Sequence, residues 1–144
     1  PPRGGFRPSP PPPPATAFFL DFDFDVFAIN SHSKAYVLCW HINNDINACF
    51  KKSKGIFFSE KEVYSQFKCS HEGFDMSIIQ NKSKWGFLMP EQNKIDFFLK
   101  VTPKISTHKK EDFMQKLNKI SKILLIFELN LQKELEAHRF IFND

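Results

Sequence analysis

In three stretches between Phe18 and Val101, namely 18 to 27, 74 to 79 and 95 to 101, apolar residues recur at every second position. In FFLDFDFDVF, residues 18 to 27, Leu20, Phe22, Phe24 and Val26 take one parity while Asp21, Asp23 and Asp25 take the other. A period of two marks a half-buried strand. Phe18 and Ala28 extend the apolar face, and Asp side chains on the other would keep an exposed edge from aggregating. AYVLCWHI at 35 to 42 is a second run of β-prone residues, closed by Asn43, Asn44 and Asp45, whose side chains favour turns. A Lys- and Gly-containing turn at 51 to 55 precedes the short apolar run IFF at 56 to 58, a candidate strand. Ser59 and Glu62 have the spacing of a capping box, which predicts a short helix over about 60 to 68. FDMSII (74 to 79), WGFLM (85 to 89) and IDFFLKV (95 to 101) then read as three strands of an antiparallel meander.

Beyond Pro103 the period changes. Phe113, Leu117, Ile120, Leu124, Phe127, Leu131 and Leu135 are separated by three or four residues throughout, which predicts one long amphipathic helix over 108 to 139. Glu111 and Asp112 suit its start, and His138 and Arg139 its end. The expected fold class is therefore α+β. A small antiparallel meander of four to six strands, within 18 to 101, is packed by one long C-terminal helix, and 18 to 144 form a single domain.

Residues 1 to 17, PPRGGFRPSPPPPPATA, hold eight of the ten prolines and little to bury, so they read as a disordered proline-rich tail. The remainder is rich in Phe (18 residues), Ile, Asn and Lys, with few Gly (five in all) for turns, which leaves partial folding as an alternative. A head of Pro, Gly, Arg and Ala on a body of Phe, Ile, Asn and Lys is what a GC-rich stretch followed by an AT-rich one would encode. That contrast suggests an orphan or recently arisen protein, with no evolved molecular function as one reading. The alternative is an ordinary protein of an AT-rich genome carrying an added tail.

The net charge is +4, but bases and acids are interspersed, and the longest basic knot is KKSK at 51 to 54. This distribution favours a solvated surface over a phosphate-binding stripe. A nucleic-acid-binding reading would rest on Lys51, Lys52 and Lys54 together with the aromatic residues Trp40 and Trp85. The chain shows neither a secretory h-region nor a membrane span, since ILLIF at 123 to 127 is far short of the ~20 residues needed. With three Cys, the expectation is reduced thiols in a cytoplasmic or nuclear setting, and the sequon at Asn81 is then incidental.

Candidate chemistry is sparse. Asp21, Asp23 and Asp25 mimic the start of a calcium loop, yet Val26 stands where Gly is needed and His32 where Glu should close it, which excludes that reading. The same alternation of acidic and aromatic residues resembles segments that dock into apolar grooves, although a strand explains it without a partner. If 35 to 42 is a strand, Cys39 with His41 and Cys69 with His71 could each offer two ligands to zinc, while burial as ordinary core thiols accounts for the cysteines equally simply. No nucleotide-binding or hydrolase motif is present, so no enzyme is expected and no cofactor beyond zinc. The most specific match lies in the tail. Arg7, Pro10 and Pro13 satisfy the basic-x-x-Pro-x-x-Pro pattern that Src-homology-3-type domains read, with a passive spacer as the alternative. The leading expectation is thus a non-enzymatic interaction protein using this tail. A homodimer through the apolar positions of 113 to 135 is a further option, set against packing of the same stripe on its own sheet.

Overall fold

The computed structural model describes residues 22–142. Its centre is a six-stranded antiparallel sheet. Strands β1 (Asp25–Asn30), β2 (Lys51–Phe57), β3 (Val63–His71), β4 (Phe74–Gln80), β7 (Phe97–Thr102) and β8 (Leu125–Glu128) lie in the order β2-β3-β4-β7-β1-β8. A two-stranded ribbon, β5 (Lys82–Ser83) and β6 (Gly86–Phe87), leads off β4. Two helices of 12 residues each, α1 (Ala35–Ile46) and α2 (Thr107–Asn118), complete the α+β fold. Among the described residues no helix is long and apolar enough to cross a membrane.

The sheet is covered on both faces. One face buries Phe27, Ile29, Met76, Ile78, Phe97, Leu99 and Val101 against Leu38, Cys39 and Ile42 of α1 and against Leu117, Ile120 and Ile123. The other buries Val26, Ala28, Tyr64, Ile79 and Phe98 against Leu88 and Met89 and the C-terminal residues Leu129, Ala137 and Phe140. β1 is paired on both sides, by β7 and β8, and the sheet is covered on both faces, so Val26 to Ile29 are fully buried whichever way they point.

The alternation in 74 to 79 and 95 to 101 does form strands β4 and β7, paired from Asp75↔Thr102 to Gln80↔Phe97. The reading of 18 to 27 needs revision. Asp25 starts β1 on the helix-covered face, where it is 5% exposed. Its Oδ2 accepts the Ile105 N–H at 2.7 Å and its Oδ1 accepts from Lys110 Nζ at 3.2 Å. Asp23 is exposed, as expected, whereas Asp21 lies outside the described residues.

Residues 35 to 42 form a helix rather than a strand. Ala35, Leu38, Cys39, Ile42 and Ile46 make a helical stripe against the sheet, and Asn47 ends the helix in the left-handed region at φ 57°. Asn43 Oδ1 then accepts from Phe50 N at 2.7 Å and Asn43 Nδ2 donates to Phe50 O at 3.1 Å, holding the chain as it turns into β2. The segment 60 to 68 belongs mainly to β3. The turn expected of Ser59 is present, with its Oγ accepting from Glu62 N at 3.0 Å, but Val63 to His71 then pair on both sides with β2 and β4.

The long C-terminal helix is also replaced. α2 stops at Asn118, β8 follows as an edge strand beside β1, and the chain closes with short 3-10 turns at Leu131–Lys133 and Ala137–Phe140. The β-branched Ile123 and Ile126 are buried, while Leu124 and Leu135, expected on the helical stripe, are 56% and 76% exposed. Asn118, Ser121 and the Ile residues are weak helix formers. The positions proposed as a dimer seam, 113 to 135, are consequently divided between α2, β8 and a 3-10 turn, and Leu117 and Ile120 are consumed in the molecule's own core.

Candidate functional site

The face of the sheet opposite the helices changes character along its length. Gln66, Ile79 and Phe98 are paired across β3, β4 and β7, and Ile79 and Phe98 pack with the C-terminal residues Ala137 and Phe140. Two residues further along β3, the next row reads Lys51↔Lys68, Lys68↔Ser77 and Ser77↔Lys100, so four adjacent strands place these side chains in register on one face. The following row is Ser70↔Asp75 and Asp75↔Thr102. Adjacent strands lie about 4.8 Å apart. Lys68 and Lys100 therefore flank Ser77, one strand away on either side, and Lys51 adds a third ammonium at the edge.

These two rows floor an open cavity of about 530 Å³, whose other lining residues include Cys49, Cys69 and Phe142. The Lys100 ammonium lies 4.5 Å from the Phe24 ring centre and 4.2 Å from that of Phe142, a placement that holds it by cation–π attraction. Asp75 contributes a carboxylate to the lining, and its Oδ1 accepts from Ser70 Oγ at 2.8 Å. Among the described lining residues, Lys51, Lys68 and Lys100 bring three ammonium-bearing side chains to one cavity. Lys51 and Lys68 stand directly opposite each other across β2 and β3.

The structure brings one sequence-predicted basic residue to this cavity and not the others. Lys51 is part of the row. Lys52 pairs with Phe67 on the opposite face, its Nζ 5.4 Å from the Phe67 ring centre, and Lys54 sits at a register shift between Ser53 and Ile56 with its Nζ 5.6 Å from Phe57. Trp40 is exposed on α1, and Trp85 is exposed on the β5–β6 turn between Lys61 and Lys84. Neither Trp lines the cavity. Lys68, Ser77 and Lys100 were not singled out by sequence. The available signal was the polar parity of the alternating runs QFKCS, DMSII and FLKVT, but only the strand order brings Lys68, Ser77 and Lys100 together.

The four zinc candidates are not assembled into one site. Because 35 to 46 is helical, Cys39 and His41 point about 160° apart. Cys39 is 2% exposed in the core, where burial pushes its thiol up to about 12, while the His41 ring packs edge-on against Trp40. Cys69 and His71 do share a face of β3, and His71 Nε2 lies 3.6 Å from the Glu72 carboxylate. Among the described residues no group of three or more His, Cys, Asp or Glu is placed to hold a metal ion. Arg7, Pro10 and Pro13 lie outside the described residues.

A larger cavity of about 700 Å³ opens between α1, α2 and the sheet end, with Met76, Val101 and Phe113 among its apolar lining and Asp45, Glu72, Asp112, Lys109 and Lys116 at the rim. Its opposed rim charges select neither an anion nor a cation. No family model matches the chain, and no curated protein matches it.

Proposed function

We propose that the chain is a non-enzymatic binder of single-stranded nucleic acid, seating a backbone phosphate over Ser77 between Lys68 and Lys100, with Lys51 as a further contact. The in-register row Lys51, Lys68, Ser77 and Lys100 supports this reading. Phosphate contacts of this kind are electrostatic and sequence-independent, and their affinity falls steeply with salt as counterions are released. The cavity volume, about 530 Å³, is in the range of a single small-ligand site rather than an extended duplex groove.

The test is anisotropy titration of labelled single-stranded and duplex oligonucleotides between about 50 and 200 mM salt. Tighter binding of the single strand is expected, with Lys68→Ala and Lys100→Ala each weakening it and each lowering the salt slope by about 1. Lys52→Ala, on the opposite face, should leave binding unchanged. Absence of binding at the lower salt, or equal losses from Lys52→Ala and Lys68→Ala, would overturn the assignment.

The tail match is a separate proposal, that Arg7, Pro10 and Pro13 engage a Src-homology-3-type domain. Peptide pull-down with Arg7→Ala and Pro10→Ala tests it, and unchanged binding removes it.

A further inference from the structure

Cys49 lies in the link between α1 and β2, exposed, and Cys69 lies on β3, buried. They are 20 residues apart in sequence, yet their Sγ atoms are 3.3 Å apart. The contact is supported from the backbone. Cys49 N donates to Cys69 Sγ at 3.2 Å, and Cys49 Sγ is 3.7 Å from the Ser70 carbonyl oxygen, which accepts its weak S–H bond. Just beyond, Lys51↔Lys68 begin the β2–β3 ladder, so the two strands hold the sulfurs side by side. Closing the pair to a bond of about 2.0 Å requires a small movement of the exposed link rather than of β3.

We propose that Cys49 and Cys69 form a thiol–disulfide exchange site, oxidised by a low-molecular-weight disulfide to an intramolecular bridge that fastens the start of β2 to β3. Cys49 loses its proton to solvent and attacks one sulfur of the small disulfide. That S–S bond breaks, and the first small thiol leaves after taking up a proton. The Cys69 thiol then gives up its proton to solvent and attacks Cys49 Sγ, the mixed disulfide breaks, and the second small thiolate leaves and takes up a proton. Two protein thiols are oxidised to one disulfide while the small disulfide is reduced to two thiols, so electrons and atoms balance.

The order of attack follows from surroundings. Burial raises the Cys69 thiol, to about 11, and Cys49 is the exposed partner, so Cys49 meets the oxidant and Cys69 resolves. Cys39, buried in the core with its thiol pushed up to about 12, stays outside the exchange. None of this depends on nucleic-acid binding.

The experiment incubates the reduced full chain with glutathione disulfide and follows free-thiol count, intact mass and peptide linkage. Wild type should lose two thiols, retain no glutathione, give a peptide joining Cys49 to Cys69, and melt roughly 5–10 °C higher than its reduced form. Cys69→Ala should stop as a glutathione adduct on Cys49, and Cys49→Ser should take up none. An unchanged wild-type thiol count, a stable adduct on wild-type Cys49, a linkage through Cys39 or a covalent dimer would each overturn the proposal.

Discussion

Asp25 and Lys110, 85 positions apart, meet where β1 enters the sheet: Lys110 Nζ donates to Asp25 Oδ1 at 3.2 Å and to Glu128 Oε2 at 2.7 Å. The same aspartate accepts the Ile105 N–H, so one buried carboxylate ties β1 to α2 and to the loop before it. Burial alone would lower the Lys110 ammonium, but Glu128 and Asp25 hold it above its ordinary value. Asp25→Ala leaves the buried Ile105 N–H unpaired and removes one of the two carboxylates on Lys110. A loss of about 3 kcal/mol is expected in urea unfolding. Asp25→Asn, which keeps an oxygen for Ile105, should cost less.

Asn81, fully buried, organises the turn over the opposite face. Its Nδ2 donates to Gln92 O and Ile95 O, each at 2.8 Å, and its Oδ1 accepts from Met89 N at 2.9 Å. Asn81→Ala strands three backbone groups at once and should cost about 2–4 kcal/mol by chemical denaturation. With no exposed surface and both its Nδ2 hydrogens and its Oδ1 engaged, Asn81 is closed to glycosylation in this fold, even though it heads a sequon.

The C-terminal segment is clipped to the sheet by Arg139. Its Nη2 donates to Glu62 Oε2 at 2.6 Å and its Nη1 to Leu88 O at 2.7 Å, while the Tyr64 hydroxyl donates to the same Glu62 oxygen at 2.5 Å. Those donors, Tyr64 first and Arg139 next, hold the Glu62 carboxyl below its ordinary 4.5. A lowered carboxylate stabilises the fold above 4.5 and loses that contribution as pH falls through the folded-state value. Glu62→Gln should therefore cost about 2 kcal/mol at neutral pH, and much less once the solution is well below 4.5. On the alkaline side, burial and the Glu62 hydrogen bond raise Tyr64 from 10.0 to about 12, so stability should fall across that window and fall less in Tyr64→Phe.

Leu117 and Leu135 sit on the same helical stripe in sequence but have opposite fates, fully buried and 76% exposed. Leu117→Ala should cost about 2–5 kcal/mol. Leu135→Ala should stay within about 0.5 kcal/mol. Melting curves of the two variants distinguish this fold from a continuous amphipathic helix, in which both would matter.

That pair also shows where the sequence stopped being informative. Phe97, Leu99 and Val101 reported a strand correctly because the other parity includes Lys100 and Thr102, exposed enough to stay polar. In 113 to 135 the three-and-four spacing continued past Asn118 only because the outward residues Leu124 and Leu135 are themselves apolar. At 35 to 42, Tyr36, Val37 and Trp40 suggested a strand, yet they are the residues turned away from the sheet, and the helical set Leu38, Cys39 and Ile42 decided the outcome. The lysine row was hidden for another reason. Lys68, Ser77 and Lys100 come from three strands, and pairing register is a property of the assembled sheet rather than of any local window.

The strand order carries a consequence for how the chain folds. β2, β3 and β4 follow one another and can pair as soon as they are made, but β1 precedes them all and is hydrogen-bonded only to β7 and β8. Until those late strands arrive, Val26 to Ile29 have no partner on either side. Sheets closed by such distant pairings fold slowly. Asp23, exposed just ahead of β1, places a charge beside that strand during the interval in which it must wait.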